Sequence, residues 1–293
     1  MSIPIAIVLL TKDEPDFLEQ TVHAIIDRTN YPYELFIVDN HSNSNKQKKL
    51  LNKYKEKKLA HVIFNNKNQW VLGFNKAIEV INNRRDLSSR YVVLSDGDIV
   101  VPNPINQICW LQYLKYKMDG NVIVGKLGLS LDHKPIQSDK QFIKAYESES
   151  RYMSGPIVDD LVIAPVDTTL AIYRKDLFVI NKFKMLPGHA SLIRPYYYTC
   201  RTTSSYKANH LGWGNCKKPN KEQLKEKIIC FTRYAGNVDP VVLSDVSRKI
   251  RYFHKVFRHM FRAYWFLRVG FYWVLYIVPR FPRGLNEIQF KHR

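Results

Sequence analysis

Apolar runs of strand length alternate with helical patterns through the first hundred residues. IPIAIVLL (residues 3–10) is continuously apolar, which is typical of a strand buried on both faces. The segment after it spaces Phe17, Val22 and Ile25 as a helix does, with Pro15 near its start. The same pattern then predicts strands at residues 34–39, 61–65 and 91–96, and helices at 42–54 and 72–83.

This βαβαβαβ order predicts an α/β fold with parallel strands joined by right-handed crossovers. In such sheets, ligands bind beyond the carboxyl ends of the strands. Asp39 and Asp96 each stand at the end of a predicted strand. We therefore expect the functional site at this edge of the sheet.

The stretch VVLSDGDIV (residues 92–100) ends a strand in two aspartates, Asp96 and Asp98, with Gly97 between them. Aspartate is a poor strand former, and two carboxylates this close repel each other unless a cation, hydrogen bonds or water relieves them. The pair therefore calls for a chemical explanation.

The order of the predicted elements argues against two well-known kinds of site, a dinucleotide-binding turn and a phosphatase nucleophile. The turn after the first strand, TKDEPDF, has no glycine, which argues against a dinucleotide-binding G-x-G-x-x-G turn and against NAD or FAD. Asp96-Gly97-Asp98-Ile99-Val100 also fits the D-x-D-x-V signature of a haloacid-dehalogenase-type phosphatase. That signature belongs on a first strand, whereas three predicted strands precede it here.

Four segments of the chain are IVLLTKDEPDFLEQTVHAI, ELFIVDNHS, NNKNQWVLGFNKAI and LSDGDIVVPN. They resemble the GT-A glycosyltransferases of family 2, which are inverting nucleotide-sugar enzymes. The resemblance covers residues 3–235 and is strong over the first 105. It implies a Rossmann-like nucleotide-binding half, a mixed central sheet and a nucleotide-sugar donor. It also implies donor-binding residues, which are Thr11, Asp39, Asn68, Asn75 and Asp96. Trp70 departs from the pattern, because the family usually has glycine there.

The resemblance further implies that Asp96 and Asp98 hold a divalent metal on the donor diphosphate. Mg²⁺ or Mn²⁺ bound by carboxylate oxygens bridges an anionic leaving group while keeping water and phosphate as other ligands. Gly97 permits backbone torsions that let both side chains reach one face of the turn. We expect Mn²⁺ or Mg²⁺ as the cofactor.

The second half of the chain carries fewer signals. Strand-like stretches occupy residues 121–132 and 163–178, and Asp167 is the first candidate for the catalytic base or for a sugar-hydroxyl ligand. The alternative is a turn aspartate that caps Thr169. Arg194, in IRPYYY, is expected to face the diphosphate, or else to be an ordinary surface arginine.

SSYKANHLGWG (residues 204–214) resembles a segment of capsule and surface-polysaccharide members of the family. By that resemblance His210 completes the metal shell; the alternative is a structural histidine beside Leu211 and Trp213. Relatives often continue with Tyr and an acidic residue after the Trp, but Gly214 and Asn215 stand here. An acidic base at that place is therefore absent.

Composition narrows the setting. The 293 residues are 45% hydrophobic and 13% aromatic, enough for a full core. The four cysteines form no C-x-x-C pair, and MSIPIAIVLL lacks a basic region before its apolar run, so we expect a reducing cytosol and no signal peptide. The net charge is +19, and residues 246–293 hold eleven Lys and Arg against one acidic residue, Glu287.

That basic tail is predicted to form a cationic amphipathic helix within residues 248–284. Its apolar run is short and interrupted by Arg268, which favours lying in a membrane interface over spanning it. Anionic lipid is the expected partner of its basic face. The alternative is a helix that packs its aromatic face on the catalytic domain or on a second copy. No nucleic-acid module is recognised.

Together these observations predict a GT-A domain over residues 1–242 and a basic, aromatic, membrane-associating helical tail over 243–293. The domain divides into a nucleotide-sugar-binding half (1–105) and an acceptor half (106–242). The expected enzyme is a metal-dependent inverting hexosyltransferase that uses a UDP- or GDP-sugar, with a surface-polysaccharide or lipid-linked glycan as acceptor. We expect it in the cytoplasm, peripheral on the inner membrane face. The alternative of another class is a catalytically silent glycan- or nucleotide-binding scaffold at the membrane.

Overall fold

The computed structural model describes residues 2–139, 142–166, 169–175, 198–203, 206–213, 221–236, 238 and 240–278. Two residues singled out from the sequence, Asp167 and Arg194, lie outside these ranges.

The first hundred residues fold as the alternation predicts. In order they form β1 (Ile5–Thr11), α1 (Pro15–Arg28), β2 (Tyr33–Asp39), α2 (Asn45–Glu56), β3 (His61–Phe64), α3 (Asn75–Asn83), β4 (Tyr91–Asp96) and β5 (Ile99–Val100). The third helix begins three residues later than predicted, because a 3-10 turn occupies Trp70–Phe74.

The second half is more divided than the sequence indicates. It contains α4 (Trp110–Gly120), β6 (Val124–Gly128), β7 (Ser130–Leu131), α5 (Ile143–Tyr152), β8 (Ile157–Val158), β9 (Leu161–Ile163), β10 (Ala171–Arg174), β11 (Tyr198–Thr202), β12 (Lys207–His210), α6 (Lys221–Arg233), α7 (Pro240–Ser244) and α8 (Arg248–Ile277). The stretch predicted at 121–132 becomes two strands in different sheets, since Ser130 N donates to Thr202 Oγ1 (3.0 Å) and leaves the central ladder.

The central sheet of the described residues has the order β3-β2-β1-β4-β10-β6-β11-β9-β8. Strands β1 to β4 pair in parallel, whereas β10 runs antiparallel between β4 and β6. The sheet is therefore mixed, as the sequence predicts. A smaller sheet of order β5-β12-β7 stands beside it.

Both faces of the parallel half are buried, which explains its continuously apolar strands. Ile5, Ile7 and Leu9 of β1 face a core shared with α1, α2 and α4. Ala6, Val8 and Leu10 face the opposite core, to which α3 contributes. The two cores hold the sheet between helices, so the loops at its carboxyl edge project from a rigid base.

The C-terminal helix α8 packs on α6 through one of its faces. Trp265 Nε1 donates to Arg233 O (2.7 Å), and His254, 5% exposed, lies 2.9 Å from Thr232 Oγ1 through its Nδ1. The Thr232 hydroxyl donates to Ile228 O (2.7 Å), so His254 Nδ1 carries the proton of this contact. No helix in the described part of the chain combines the length and apolar character needed to cross a bilayer.

We predict that the α6–α8 contact weakens in acid. Burial, followed by the charges of Arg258, Arg262 and His259, lowers the pKa of His254 below its ordinary value. Below about pH 6.5 the unfolded chain therefore binds a proton that the folded chain resists, and stability falls as the pH falls through that range. Thermal unfolding between pH 8 and 5 measures this loss. His254→Gln should flatten the pH dependence, whereas the exposed His23→Gln should leave it unchanged; equal slopes in all three proteins would contradict the prediction.

Candidate active site

Three of the predicted site residues lie together because their strands are neighbours. Thr11 and Asp39 are register partners at the ends of β1 and β2. Asp96, at the end of β4, pairs with Leu10 on the other side of β1. The carboxyl edge of the parallel strands thus gathers Thr11, Asp39 and Asp96, as their positions after predicted strands indicate.

The loops at this edge hold strained backbone. Asp13 (φ 56°), His41 (φ 71°) and Trp70 (φ 48°) follow β1, β2 and β3, and all adopt the left-handed region that non-glycine residues avoid. Such strain persists only where the surroundings impose it, and it collects at functional sites. Its presence after three successive strands supports placing the site here.

Three carboxylates lie close together at the turn after β4. Gly97 N donates to Leu10 O (2.8 Å), and a Cβ built on Gly97 would lie 2.9 Å from Thr11 Cβ and 3.0 Å from Glu14 Oε1. Glu14 therefore stands against the Asp96-Gly97-Asp98 turn. Burial, followed by the charges of Asp98 and Asp96, raises the pKa of Glu14 well above its ordinary value. These three residues, Glu14, Asp96 and Asp98, are called the acidic cluster below.

His210 comes to the acidic cluster through strand pairing. β12 pairs antiparallel with β5, setting His210 opposite Ile99, and Leu211 N donates to Asp98 O (2.9 Å). His210 Nδ1 lies 3.5 Å from Asp98 Oδ2 and has no hydrogen-bond partner, while its ring stacks on Trp213 at 4.9 Å. Burial raises the pKa of Asp98, and the charge of His210 opposes that rise.

Asp39 presents a buried oxygen with no partner. The residue is 2% exposed; its Oδ2 accepts a hydrogen bond from Ser42 N (3.0 Å), but Oδ1 has none. Thr11, by contrast, is already engaged, because its Oγ1 accepts from Gln47 Nε2 (3.0 Å). A buried carboxylate oxygen without a donor carries a desolvation cost that a ligand N–H or O–H would remove.

The loop after β3 is fixed by a network of asparagines. Asn40 Nδ2 donates to Asn68 Oδ1 (2.9 Å) and Trp70 O (3.3 Å), and Asn40 Oδ1 accepts from Asn65 Nδ2 (3.2 Å) and Gln69 N (3.0 Å). Asn68, predicted to contact the nucleotide, thus uses its side chain to hold the loop. Asn75, the other predicted asparagine, begins α3 and is half-buried. For both residues, nucleotide contact stays a prediction.

Sequence reasoning missed several residues of this edge. Glu14 stands in TKDEPDF, where the pattern indicates a helix start, and its contact with Gly97 joins residues that are 83 positions apart in the sequence. Asn40 and Asn65 carried a usable signal, since each directly follows a strand. The candidate base Asp167 and the candidate diphosphate contact Arg194 are outside the described residues.

The residues at this edge fit a divalent cation by their chemistry. Asp96, Asp98 and His210 offer carboxylate oxygens and an imidazole whose Nδ1 has no hydrogen-bond partner, a donor set suited to Mn²⁺ and, through its oxygens, Mg²⁺. Within the described ranges, no group of three or more His, Cys, Asp or Glu side chains is already gathered at metal-binding distances. The carboxylates of the acidic cluster are thus close together, but they are not arranged at metal-binding distances.

A family model described as Glycosyl transferase family 2 matches residues 6–178. Three solved structures match the chain at low identity. PcManGT, a mannosyltransferase from Pyrobaculum calidifontis in complex with GDP-Man and Mn²⁺, shares 13% identity at a TM-score of 0.49, over 97% of this chain and 89% of its own. S. aureus TarS shares 12% at 0.43, over 87% of this chain and 53% of its own.

GalNAc-T7, with UDP, GalNAc and Mn²⁺, shares 12% identity at a TM-score of 0.48, over 87% of this chain and 55% of its own. The chain therefore spans about half the length of TarS and of GalNAc-T7. No curated protein matches the chain significantly.

We predict that Gly97→Ala destabilises the protein by about 1–3 kcal/mol, because the new methyl group would overlap Thr11 and Glu14. Gly120→Ala is the matched control, since a Cβ there meets nothing within 4 Å and alanine favours the end of α4. Chemical denaturation measures both. A Gly97→Ala protein as stable as the control would mean that Gly97 does not fix the distance between β1 and the turn.

Proposed function

Because the chain belongs to glycosyl transferase family 2, we propose that it transfers one sugar, a hexose, from a UDP- or GDP-sugar to a surface-polysaccharide or lipid-linked glycan acceptor. The observation that carries this proposal is the acidic cluster at the end of β4, beside a buried Asp39 oxygen that lacks a donor. A divalent cation would offset the negative charge of the acidic cluster. A nucleotide would supply the hydrogen-bond donor that Asp39 Oδ1 lacks. Inversion of the anomeric centre follows from the family resemblance.

Donor binding is assigned to residues at the carboxyl edge. Asp39 Oδ1 accepts a hydrogen bond from the base or the ribose, next to Thr11. Asn68 contributes from the loop after β3, and Asn75 contributes from the start of α3. Asp96, Asp98 and His210 would hold Mn²⁺ or Mg²⁺. When bound, such an ion would supply positive charge that offsets the negative charge of the diphosphate leaving group.

The transfer itself forms a bond between an acceptor hydroxyl oxygen and the anomeric carbon, and breaks the bond from that carbon to the diphosphate. The hydroxyl proton passes to a base positioned on the acceptor side. Asp167 is the base of this proposal, and Arg194 stabilises the negative charge of the diphosphate.

We further propose that α8 attaches the enzyme to an anionic membrane surface from the cytoplasmic side. Arg251, Lys255 and Arg262 are exposed along one face of the helix. A second face exposes apolar side chains at spacings of three and four, namely Tyr252, Val256, Met260, Tyr264, Leu267, Phe271 and Val274, and Val278 directly follows the helix. This pairing of an apolar face with a cationic one fits a helix lying among lipid headgroups.

We predict that Asp96→Asn and Asp98→Asn each lower Mn²⁺-dependent hydrolysis of the donor UDP- or GDP-sugar by about a hundredfold or more, since each removes a charge from the cation site. Asp16→Asn, on the exposed start of α1, is the control and should retain activity. Nucleotide release with Mn²⁺ or with EDTA measures the effect. A wild type that releases no nucleotide would favour the scaffold alternative; cleavage of a simple aryl phosphate with phosphorylation of Asp96 would favour the phosphatase.

We predict that the protein sediments with vesicles containing phosphatidylglycerol, and that added salt weakens this binding. The double variant Met260→Ser with Leu267→Ser should reduce binding about tenfold or more, because both side chains belong to the apolar face of α8 and are 54% and 70% exposed. Tyr116→Ser, an exposed aromatic on α4, is the control. If the control and the double variant bind alike, α8 is not the membrane contact.

A further inference from the structure

Helix α6 lies directly against the loop that follows β3, here called the β3–α3 loop (residues 65–74). The ring of Phe231 packs on the ring of Trp70, with centroids 4.9 Å apart at 40°. Cys230 Sγ lies 3.8 Å from Asn68 Oδ1. A helix from the far end of the chain thus covers a loop of the nucleotide-binding half.

One carboxylate on the same helix joins two loops of the site edge. Glu226 Oε1 accepts from Asn68 Nδ2 (3.4 Å), and Glu226 Oε2 lies 3.3 Å from Lys12 Nζ. Lys12 directly follows Thr11 at the end of β1, and Asn68 belongs to the β3–α3 loop. Glu226 therefore ties the ends of β1 and β3 together across the position of β2.

Between those two strands lies Asp39, and the same network reaches it. Asn68 and Trp70 both accept hydrogen bonds from Asn40 Nδ2, and Asn40 is the residue next to Asp39. A displacement of α6 would therefore shift the β3–α3 loop and then Asn40. It would also shift the neighbouring Asp39, whose Oδ1 has no hydrogen-bond partner.

The backbone at Trp70 indicates that its ring is retained despite strain. Its φ of 48° lies where glycine is the ordinary residue and a bulky side chain is an outlier. Glycine would relieve the strain but would also remove the contact with Phe231. Strain of this kind persists only where the surrounding structure imposes it, and it is found frequently at functional sites.

We propose that α6 completes the donor-nucleotide site, with Phe231 and Glu226 as positioning residues that act on Asp39 through Trp70, Asn68 and Asn40. The inference rests on the proposed function, because it assigns α6 to the binding of the same UDP or GDP group. It differs in assigning no contact between α6 and the nucleotide. The effect of α6 therefore falls on nucleotide affinity rather than on the chemical step.

The test is the dissociation constant for UDP and for GDP with Mn²⁺, measured by calorimetry on the full chain, together with KM and kcat for nucleotide-sugar hydrolysis. Phe231→Ala should raise the dissociation constant and KM about tenfold with a much smaller change in kcat, since the contact between the half-buried rings of Phe231 and Trp70 is lost. Phe231→Tyr keeps the ring and should bind like the wild type. Trp70→Gly should match Phe231→Ala, and the double variant should be no worse than either, because both remove the same contact.

Glu226→Gln is a second test, and Glu222→Gln is its matched control. Both residues lie on α6, one helical turn apart, and both substitutions keep the size of the side chain. Glu226→Gln should weaken nucleotide binding about threefold by losing the charge opposite Lys12. Glu222, which is 79% exposed and pairs with Lys225, should tolerate the change without effect. If the wild type binds UDP or GDP and all α6 and Trp70 variants bind equally well, the role of α6 is overturned while the proposed function stands. A wild type that binds neither nucleotide overturns both.

Discussion

The site depends on the negative charge of three carboxylates that are enclosed at the end of β4. The turn Asp96-Gly97-Asp98 is drawn against β1, where Gly97 N bonds Leu10 O and Thr11 leaves no room for a side chain on Gly97. Glu14 is held in the same space, and the mutual repulsion of these carboxylates adds to burial in raising the pKa of Glu14. Such a cluster at the carboxyl edge of parallel strands supports the proposal that this site binds a cation.

The parallel half of the fold was readable from sequence because its information is local. Continuous apolar strands, helical spacing and the residues at strand ends lie within a few positions of each other, and register then brings Thr11, Asp39 and Asp96 together. The second half depends on pairing between distant segments. No local sequence pattern predicts that β10 lies antiparallel between β4 and β6. Nor does one predict that β12 pairs with β5 and so places His210 near Asp98. Glu14 and Glu226 were missed for the same reason, since each acts on a segment far away in sequence.

Helix α8 packs on the folded domain, and we also propose that it contacts lipid. Residues of α8 that face α6, including His254 and Trp265, make it part of the folded domain, so its packing on that domain and its proposed contact with lipid use different faces. α6 in turn lies between α8 and the β3–α3 loop. The helix that we propose to contact a membrane is therefore separated from the β3–α3 loop by α6 alone, which gives the basic tail a structural connection to the proposed donor site.

Direct titration of Mn²⁺ is the most decisive measurement for the central claim. Electron paramagnetic resonance of free Mn²⁺, with the wild-type chain and saturating UDP or GDP, counts the ions that the protein–nucleotide complex takes up beyond those held by nucleotide alone. The account predicts one ion per chain, lost when Asp98 is replaced by Asn. Uptake that is absent from the wild type, or that is the same in the Asp98→Asn protein, would contradict the claim that the acidic cluster exists to bind a cation.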